Sequence, residues 1–498
     1  MKHAERRAAG AALAIVVVAF GAIYVRRVTG GVSNVDDYLY ALQSKAYLTG
    51  LGEGPRGLIS SWRSFSTNSP LVPMAATPIA VFSSHPNVLV LVQLVALIGL
   101  LIACWALLSQ LGCARSGTWA AAAVVVCIPP VLTYGGMLHF ALAASACCVG
   151  ALAAYLASDR LRLLRPTLLF GLVLGLLGIS RVIAPVYVAA LLAPVAVDLL
   201  SDRQDVSLRL KRLAFAGGAA LIVAGPWWLL NGRSAIQYLR GLGYDSSSGF
   251  AEKQSPLELL QGRLTHTADE TGWLLAAAIL VLVVVATFQA LRVRNRPVLL
   301  SIAVAVLGIL ALATSSNSGT AFALPFVAVA ACVAASVVTR GPRPMLIVAV
   351  VLVATLVLPS SSLGGRRHPL WLSGTPAEMQ AQGALGCDCV VDTDVLNREV
   401  LDHVVGRTLV VRDDAVVNLN VMGFLREDVV LLTPPYGARS VSSALLASVE
   451  TVVTGSTAAP YHSAIDFKNL DPELRSAGFT LLWERRLSPA NDVVVWHR

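Results

Sequence analysis

Residues 166–200 read "PTLLFGLVLGLLGISRVIAPVYVAALLAPVAVDLL". The orientation of the whole chain turns on whether this is one apolar passage or two. A helix needs about 20 apolar residues to cross roughly 30 Å of hydrocarbon, and this stretch is interrupted once, at Ser180-Arg181. Two passages give spans at 166–179 and 182–200; one passage reverses the side of everything that follows.

Working outward, apolar runs fall at 8–25, 86–109, 118–134, 138–157, 166–179, 182–200, 213–230, 272–291, 297–314, 320–338 and 345–361, about eleven transmembrane helices in all. With eleven spans and the N-terminus inside, the inner pieces 1–7, 110–117, 158–165, 201–212, 292–296 and 339–344 carry 16 Lys+Arg. The short outer turns near 135–137, 180–181 and 315–319 carry Arg181 alone. Short cytoplasmic loops are rich in Lys and Arg, so the split reading stands. Merging 166–200 would put the Arg203–Arg212 cluster outside. The basic start and apolar run of "MKHAERRAAGAALAIVVVAFGAIYV" then read as a first span that also acts as an uncleaved signal.

Composition agrees. The chain has 498 residues, 56% hydrophobic and 13% charged, with mean hydropathy +0.70. A soluble domain carries about a quarter charged residues, so the soluble globular class is excluded. The net charge of +9 is uneven. Residues 1–362 hold 26 Lys+Arg against 13 Asp+Glu, and residues 363–498 hold 12 against 16. The basic excess belongs to the membrane part, which points to membrane orientation and away from nucleic acid. Six of the eight cysteines lie in or beside apolar spans, as small hydrophobes do. Cys387 and Cys389 flank Asp388 and are read as structural, as a strained disulfide or as thiols.

The fold class expected is a mainly α polytopic membrane domain over 1–362 and an α/β domain outside the cytoplasm over 363–498. In the latter, strand-like runs ("CVVDTD", "TLVVRDD", "DVVLLTP", "ETVVTG", "FTLLWER", "DVVVWHR") alternate with helix-like ones at 395–405, 440–449 and 471–477. Two outer loops are long, 26–85 and 231–271. The first holds "SPLVPMAATPIAVFSSHP", apolar, broken by proline and too short to cross, hence a helix lying in the interface. There is no phosphate-binding P-loop, no GxGxxG after a strand, no zinc spacing and no strong internal repeat.

The same loop carries Asp36-Asp37. Two readings stand for the pair: a solvated loop with a helix N-cap, or an acid that takes a proton from an incoming hydroxyl or amine, or holds a cation.

The order of segments resembles the GT-C superfamily of integral-membrane glycosyltransferases, in particular the branch of protein O-mannosyltransferases and the lipid A aminoarabinose transferase. The likeness runs through "NVDDYLYALQSKAYLTG" after the first span and "NSPLVPMAATPIAVF" in the same loop. It continues in "PPVLTYGGMLHFALAASACCVGALAAYLAS", "RPTLLFGLVLGLLGISRVIAP" and "GPWWLLN". It covers most of residues 1–340 as order and pattern, without a single decisive motif.

The resemblance implies transfer of a sugar, with inversion, from a polyprenyl-phosphate donor to a cell-envelope glycan, lipid or protein acceptor at the plasma membrane. It makes Asp36 the base and Asp37 a group behind it or on the acceptor, roles that could be exchanged. Arg181 is the candidate for the donor phosphate; the other reading is an arginine reaching up to the interface. Arg233, just past "GPWWLLN", is a second candidate. His139, Arg263, His266 and Tyr40 are candidates for substrate binding. His139 stands where relatives often carry an acid, which puts a second catalytic carboxylate or metal ligand there in doubt; capping a helix is its other reading. Asp36 with Asp37 could bind a divalent metal, with no further ligand evident. Trp227-Trp228 is read as an interfacial anchor. An Ala/Val/Arg-rich, lysine-poor composition suits a high-GC bacterial genome, where decaprenyl-phosphate mannose or arabinose are natural donors.

Two other classes compete. A transporter or flippase of lipid-linked sugar should carry mid-span ionisable residues and paired repeats, whereas these spans are nearly charge-free. A non-catalytic scaffold explains residues 363–498 and leaves the 26–85 loop without a purpose.

Overall fold

The computed structural model describes residues 2–30, 35–201, 204–240, 255–315, 321–339, 393–412, 416–426, 428–434, 440–455, 465, 467–488 and 491–498. The expected span 345–361, the boundary at 362/363 and the Cys387/Cys389 pair lie outside these residues, as does most of the strand expected at 389–394.

The membrane part is a bundle of α1 (Lys2–Gly30), α2 (Val35–Gly52), α3 (Pro55–Ser64), α4 (Leu71–Ala80), α5 (Pro86–Leu89), α6 (Val92–Gln110), α7 (Arg115–Val126), α8 (Pro129–Gly135), α9 (Ala141–Ala157), α10 (Leu164–Gly178), α11 (Ala184–Leu200), α12 (Val206–Leu239), α13 (Pro256–Thr271), α14 (Trp273–Val293), α15 (Arg296–Leu312) and α16 (Leu324–Val338). Each expected span other than 345–361 coincides with helix. By length and apolarity, 4 helices among the described residues are long enough to cross a membrane, or up to 5 if the bent pair is one span. That pair is Gly117–Val126 and Pro129–Gly135, bent by 64°. Pro129 and Pro130 cause the bend: proline lacks an N–H and clashes with the preceding turn.

Residues 166–200 form two helices. α10 stops at Gly178 and α11 starts at Ala184 with Pro185 in its first turn. The carbonyls this break frees are taken up across the fold. The Trp228 indole N–H donates to the Gly178 carbonyl at 2.8 Å, and the Leu71 N–H to that of Ile179 at 3.3 Å. Trp227 is buried against Ile179, Val182 and Ala235. The Trp-Trp pair is therefore an internal support for the break, in place of the expected surface anchor.

α10 lies unusually close to α12. A methyl group added at Gly171 would stand 2.2 Å from the Ala216 carbonyl oxygen, and one at Gly175 would stand 2.8 Å from that of Ala220. Small residues spaced by four let membrane helices approach backbone to backbone. At the opposite end of α11 from the break, Asp198 collects the Tyr155 hydroxyl at 2.7 Å, Arg160 at 3.1 Å and a two-pronged Arg296 guanidinium. That cluster ties α9, α11, α15 and the loop after α9 at the end where the basic loops gather.

The 26–85 loop is largely helical. α4 lies where an interfacial helix is expected and contains Pro78 within it. The expected 231–271 loop is partly helix as well: α12 runs on to Leu239, and α13 follows under a Ser255–Glu258 capping box.

The C-terminal part comprises α17 (Thr393–Asp402), α18 (Leu419–Leu425), α19 (Ser443–Ala447), α20 (Phe467–Ser476) and a five-stranded sheet in the order β2-β1-β3-β5-β4. The strands are β1 (Thr408–Val410), β2 (Leu431–Leu432), β3 (Thr451–Gly455), β4 (Thr480–Ser488) and β5 (Asn491–His497). β1 runs parallel to β2 and β3, and β5 antiparallel to β3 and β4. The faces of the sheet are covered by two apolar clusters. The α/β pattern is as expected, and α18 is an addition to it.

Gly171→Val should cost about 1–3 kcal/mol, the range for overpacking a tight contact. A lower thermal midpoint in detergent and a poorer yield of folded protein would register this. Gly217→Ala, whose added methyl meets nothing within 4 Å, should leave both unchanged.

Candidate active site

Asp36 and Asp37 fall in the first turn of α2, where the helix dipole favours negative charge. They face different neighbours because successive residues on a helix point about 100° apart. Asp37 is fully buried. Its Oδ2 accepts from Arg27 Nη1 at 3.0 Å and its Oδ1 from the Leu138 backbone N–H at 2.5 Å. Arg27, in the last turn of α1, is also buried; it donates to Asn87 Oδ1 at 2.9 Å and to the Gly136 carbonyl at 2.6 Å. One ion pair thus joins the end of α1, the start of α2, α5 and the turn between α8 and α9.

That turn presents His139. Its Nδ1 accepts the Ala141 N–H at 3.3 Å, so in the neutral ring the proton sits on Nε2. Nε2 lies 3.5 Å from Asp36 Oδ2. Asp36 keeps a third of its side chain accessible, with 33% exposure against 0% for Asp37. Burial pushes the Asp36 carboxyl above the usual carboxylate range; Arg181 opposes this and Asp37 adds to it.

Arg181 stands in the break between α10 and α11. Its Nη1 donates to the Tyr40 hydroxyl at 2.7 Å, and its guanidinium carbon lies 4.4 Å from the centre of the Phe140 ring, a cation–π distance. Burial works against its charge, but Tyr40 and Asp36 outweigh that and hold it protonated. Tyr238 of α12 is near enough to feel both Arg181 and Asp36. Burial raises the Tyr40 hydroxyl to about 12, so it remains a donor at neutral pH.

The structure therefore gathers Asp36, Tyr40, His139 and Arg181 in one place. Arg263 and His266 belong to a neighbouring group on α13. Arg263 is buried and donates to the Leu312 carbonyl at 3.3 Å. His266 Nε2 is 3.4 Å from Glu270 Oε1. That oxygen also accepts from the Tyr134 hydroxyl at 2.9 Å and the Ala321 N–H at 2.7 Å. Tyr134 stacks on His139 with ring centres 5.1 Å apart, linking the two groups. Arg233 is exposed on α12, on the face away from buried Asn231 and Ala235. Sequence reading missed Arg27, Phe140, Tyr238 and Glu270. Arg27 closes the apolar α1 and Glu270 stands just before the apolar α14, a signal that marks them for scrutiny; Phe140 and Tyr238 carry none.

A divalent metal does not fit the acid pair. Both Asp37 oxygens are already engaged by Arg27 and Leu138, and no group of three or more His, Cys, Asp or Glu placed to hold a metal occurs among the described residues.

The chain is thus a bundle of apolar helices with acids, an arginine and aromatics gathered at one end, followed by a mixed sheet. The profile of glycosyltransferase family 87 matches residues 67–316, and the chain belongs to that family. The match takes in His139, Arg181, Arg233, Arg263 and His266 and begins after the acid pair. ArnT from Cupriavidus metallidurans shares the fold over 98% of both chains at 13% identity and TM-score 0.60 in its undecaprenyl-phosphate complex. Its apo state also gives TM-score 0.60, at 11% identity. The oligosaccharyltransferase of Archaeoglobus fulgidus in the apo form matches at TM-score 0.51 and 12% identity, over 89% of this chain and 69% of its own. By sequence, no curated protein matches the chain. The protein is a multi-pass membrane glycosyltransferase.

Removing one partner of a buried pair is costly. Arg27→Leu should lower stability by about 3–5 kcal/mol, and Arg27→Leu with Asp37→Leu should recover part of that. Thermal unfolding in detergent, with the two single variants alongside, measures the difference.

Proposed function

We propose that the protein transfers a sugar, with inversion, from a polyprenyl-phosphate donor to a hydroxyl or amine acceptor outside the cytoplasm. The single observation that carries this is the pairing at one end of the bundle of an accessible carboxylate, Asp36, with a protonated arginine, Arg181. Family 87 membership supplies the reaction class. The fold shared with ArnT, described in complex with undecaprenyl phosphate, supports the lipid donor.

The chemistry follows from what each group can do. Asp36 takes the proton of the acceptor hydroxyl or amine as that atom attacks the anomeric carbon. The bond from that carbon to the phosphate oxygen breaks on the opposite side. The donor phosphate bears one negative charge as a diester and two as the departing monoester, so the charge grows at the leaving oxygen. A fixed guanidinium there stabilises the transition state more than the ground state. Tyr40 and Phe140 hold Arg181 in place, one by hydrogen bond and one by its ring face. The His139 Nε2–H faces Asp36 Oδ2 and steadies the carboxylate that meets the acceptor. Asp37 is a brace for the helix that carries the base. In this reading Arg263 and His266 serve the sugar or acceptor, and Arg233 is a second group for the donor phosphate.

We assign the N-terminus to the cytoplasm and the acid pair and C-terminal domain to the outer face of the plasma membrane. The basic residues Arg160 and Arg296 gather on Asp198, at the end of α11 opposite the break that carries Arg181, which supports this orientation. The division at 362/363 into a membrane domain and an α/β domain, and an envelope glycan, lipid or protein as acceptor, belong to the same proposal.

Asp36→Asn should lower transfer by at least about 10²-fold, the lower contribution of a general base. Arg181→Gln should cost about 10²–10³-fold, as for a lost oxyanion donor. Radiolabelled polyprenyl-phosphate sugars in proteoliposomes provide the assay; full activity in Asp36→Asn would overturn the assignment. The base must be ionised, so kcat/KM should fall as pH drops through the raised pKa of Asp36, at a higher pH than an ordinary aspartate gives. Because Arg181 lowers that pKa, the residual activity of Arg181→Gln should show its acid limb at still higher pH.

A further inference from the structure

Phe424 lies on α18 of the C-terminal domain, yet it is not part of the apolar clusters described for that domain. Its neighbours on the helix, Leu419, Met422 and Leu425, join the apolar cluster over the sheet. Phe424 packs against the core of the membrane bundle instead. There it meets Tyr38 edge-on at 5.2 Å between ring centres and His85 at 6.4 Å. Aromatic rings at such angles and distances attract beyond their buried area.

The two residues it touches belong to the brace behind the acid pair. Tyr38 is fully buried in the first turn of α2, directly after Asp36 and Asp37. His85 caps α5 by accepting the Asn87 N–H at 3.2 Å. Asn87 in turn takes a hydrogen bond from Arg27, the partner of Asp37. One side chain of the C-terminal domain thus presses on the turn that carries Asp36 and on the helix that anchors its brace.

We propose that Phe424 is a positioning residue: through Tyr38 and His85 it fixes the first turn of α2, so the C-terminal domain sets the geometry of the base. This rests on Asp36 being the base, as proposed above. A shift of about 1 Å in a reacting group can cost on the order of 10²-fold in rate. A domain seated on α2 therefore governs turnover without touching substrate.

The test uses the full chain in proteoliposomes, comparing wild type, Phe424→Ala, Phe424→Tyr and Asp36→Asn. In Phe424→Ala, kcat should fall by about tenfold, with KM for the polyprenyl-phosphate sugar changed by less than about twofold. Loosening the first turn of α2 weakens the hold of Asp36 beside Arg181, whose charge lowers its pKa, so the acid limb of kcat/KM should move to higher pH. The charged and titratable groups facing Asp36 (Asp37 and Tyr40 on α2, His139, Arg181 and Tyr238) are unchanged in the variant, as are Asp394 and Arg398 of α17, whose charges reach His85. Phe424→Tyr should restore kcat and the profile. A wild-type kcat in Phe424→Ala, or a loss matching only the unfolded fraction with the acid limb unmoved, would overturn the inference while inactive Asp36→Asn upholds the base. Activity in Asp36→Asn would instead overturn the base.

Discussion

The candidate-site end of the bundle depends on the buried ion pair between Arg27 and Asp37. A carboxylate taken out of water is costly unless its lone pairs are filled, and Asp37 fills its own with Arg27 and the Leu138 N–H. Those two partners come from opposite ends of the early sequence. Satisfying one carboxylate therefore fixes the end of α1, the first turn of α2 and the turn between α8 and α9. Asp36 and His139 are placed by the same act, one just before Asp37 and the other just after Leu138. The acid pair is thus a division of labour, with one carboxylate fixed and sealed and its neighbour left accessible.

The break in residues 166–200 supplies the opposing charge. A continuous helix would leave Arg181 mid-helix in an apolar passage. Ending α10 at Gly178 puts it in a turn, and the cost of the freed carbonyls is offset by the Trp228 indole and the Leu71 N–H. The close approach at Gly171 and Gly175 brings α12 near enough for Trp228 to reach. Membrane packing by small residues and the siting of the Arg181 charge are parts of one arrangement.

Much of this was legible in the sequence. Apolar run length marked the helices, and loop charge separated 166–179 from 182–200, because both follow from local composition. Asp36, Tyr40, His139 and Arg181 were each singled out, but their convergence is tertiary. Tyr40 and Arg181 bond across 141 residues, and Asp37 and Leu138 across 101. The roles within the acid pair were open because sequence does not say which carboxylate is buried. Trp227-Trp228 looked like an interfacial anchor because composition cannot distinguish an aromatic facing lipid from one supporting a helix break. Phe424 carried no signal, since a lone aromatic on a short amphipathic helix reads as local core.

The central claim is that donor chemistry takes place between Asp36 and Arg181. The most direct measurement is a structure of the protein with a non-cleavable phosphonate analogue of a polyprenyl-phosphate sugar. The account predicts phosphonate oxygens within hydrogen-bond distance of Arg181 and the anomeric carbon between that group and Asp36. A phosphonate seated at Arg233 or elsewhere on the bundle, with Arg181 still bound to Tyr40 alone, would contradict it.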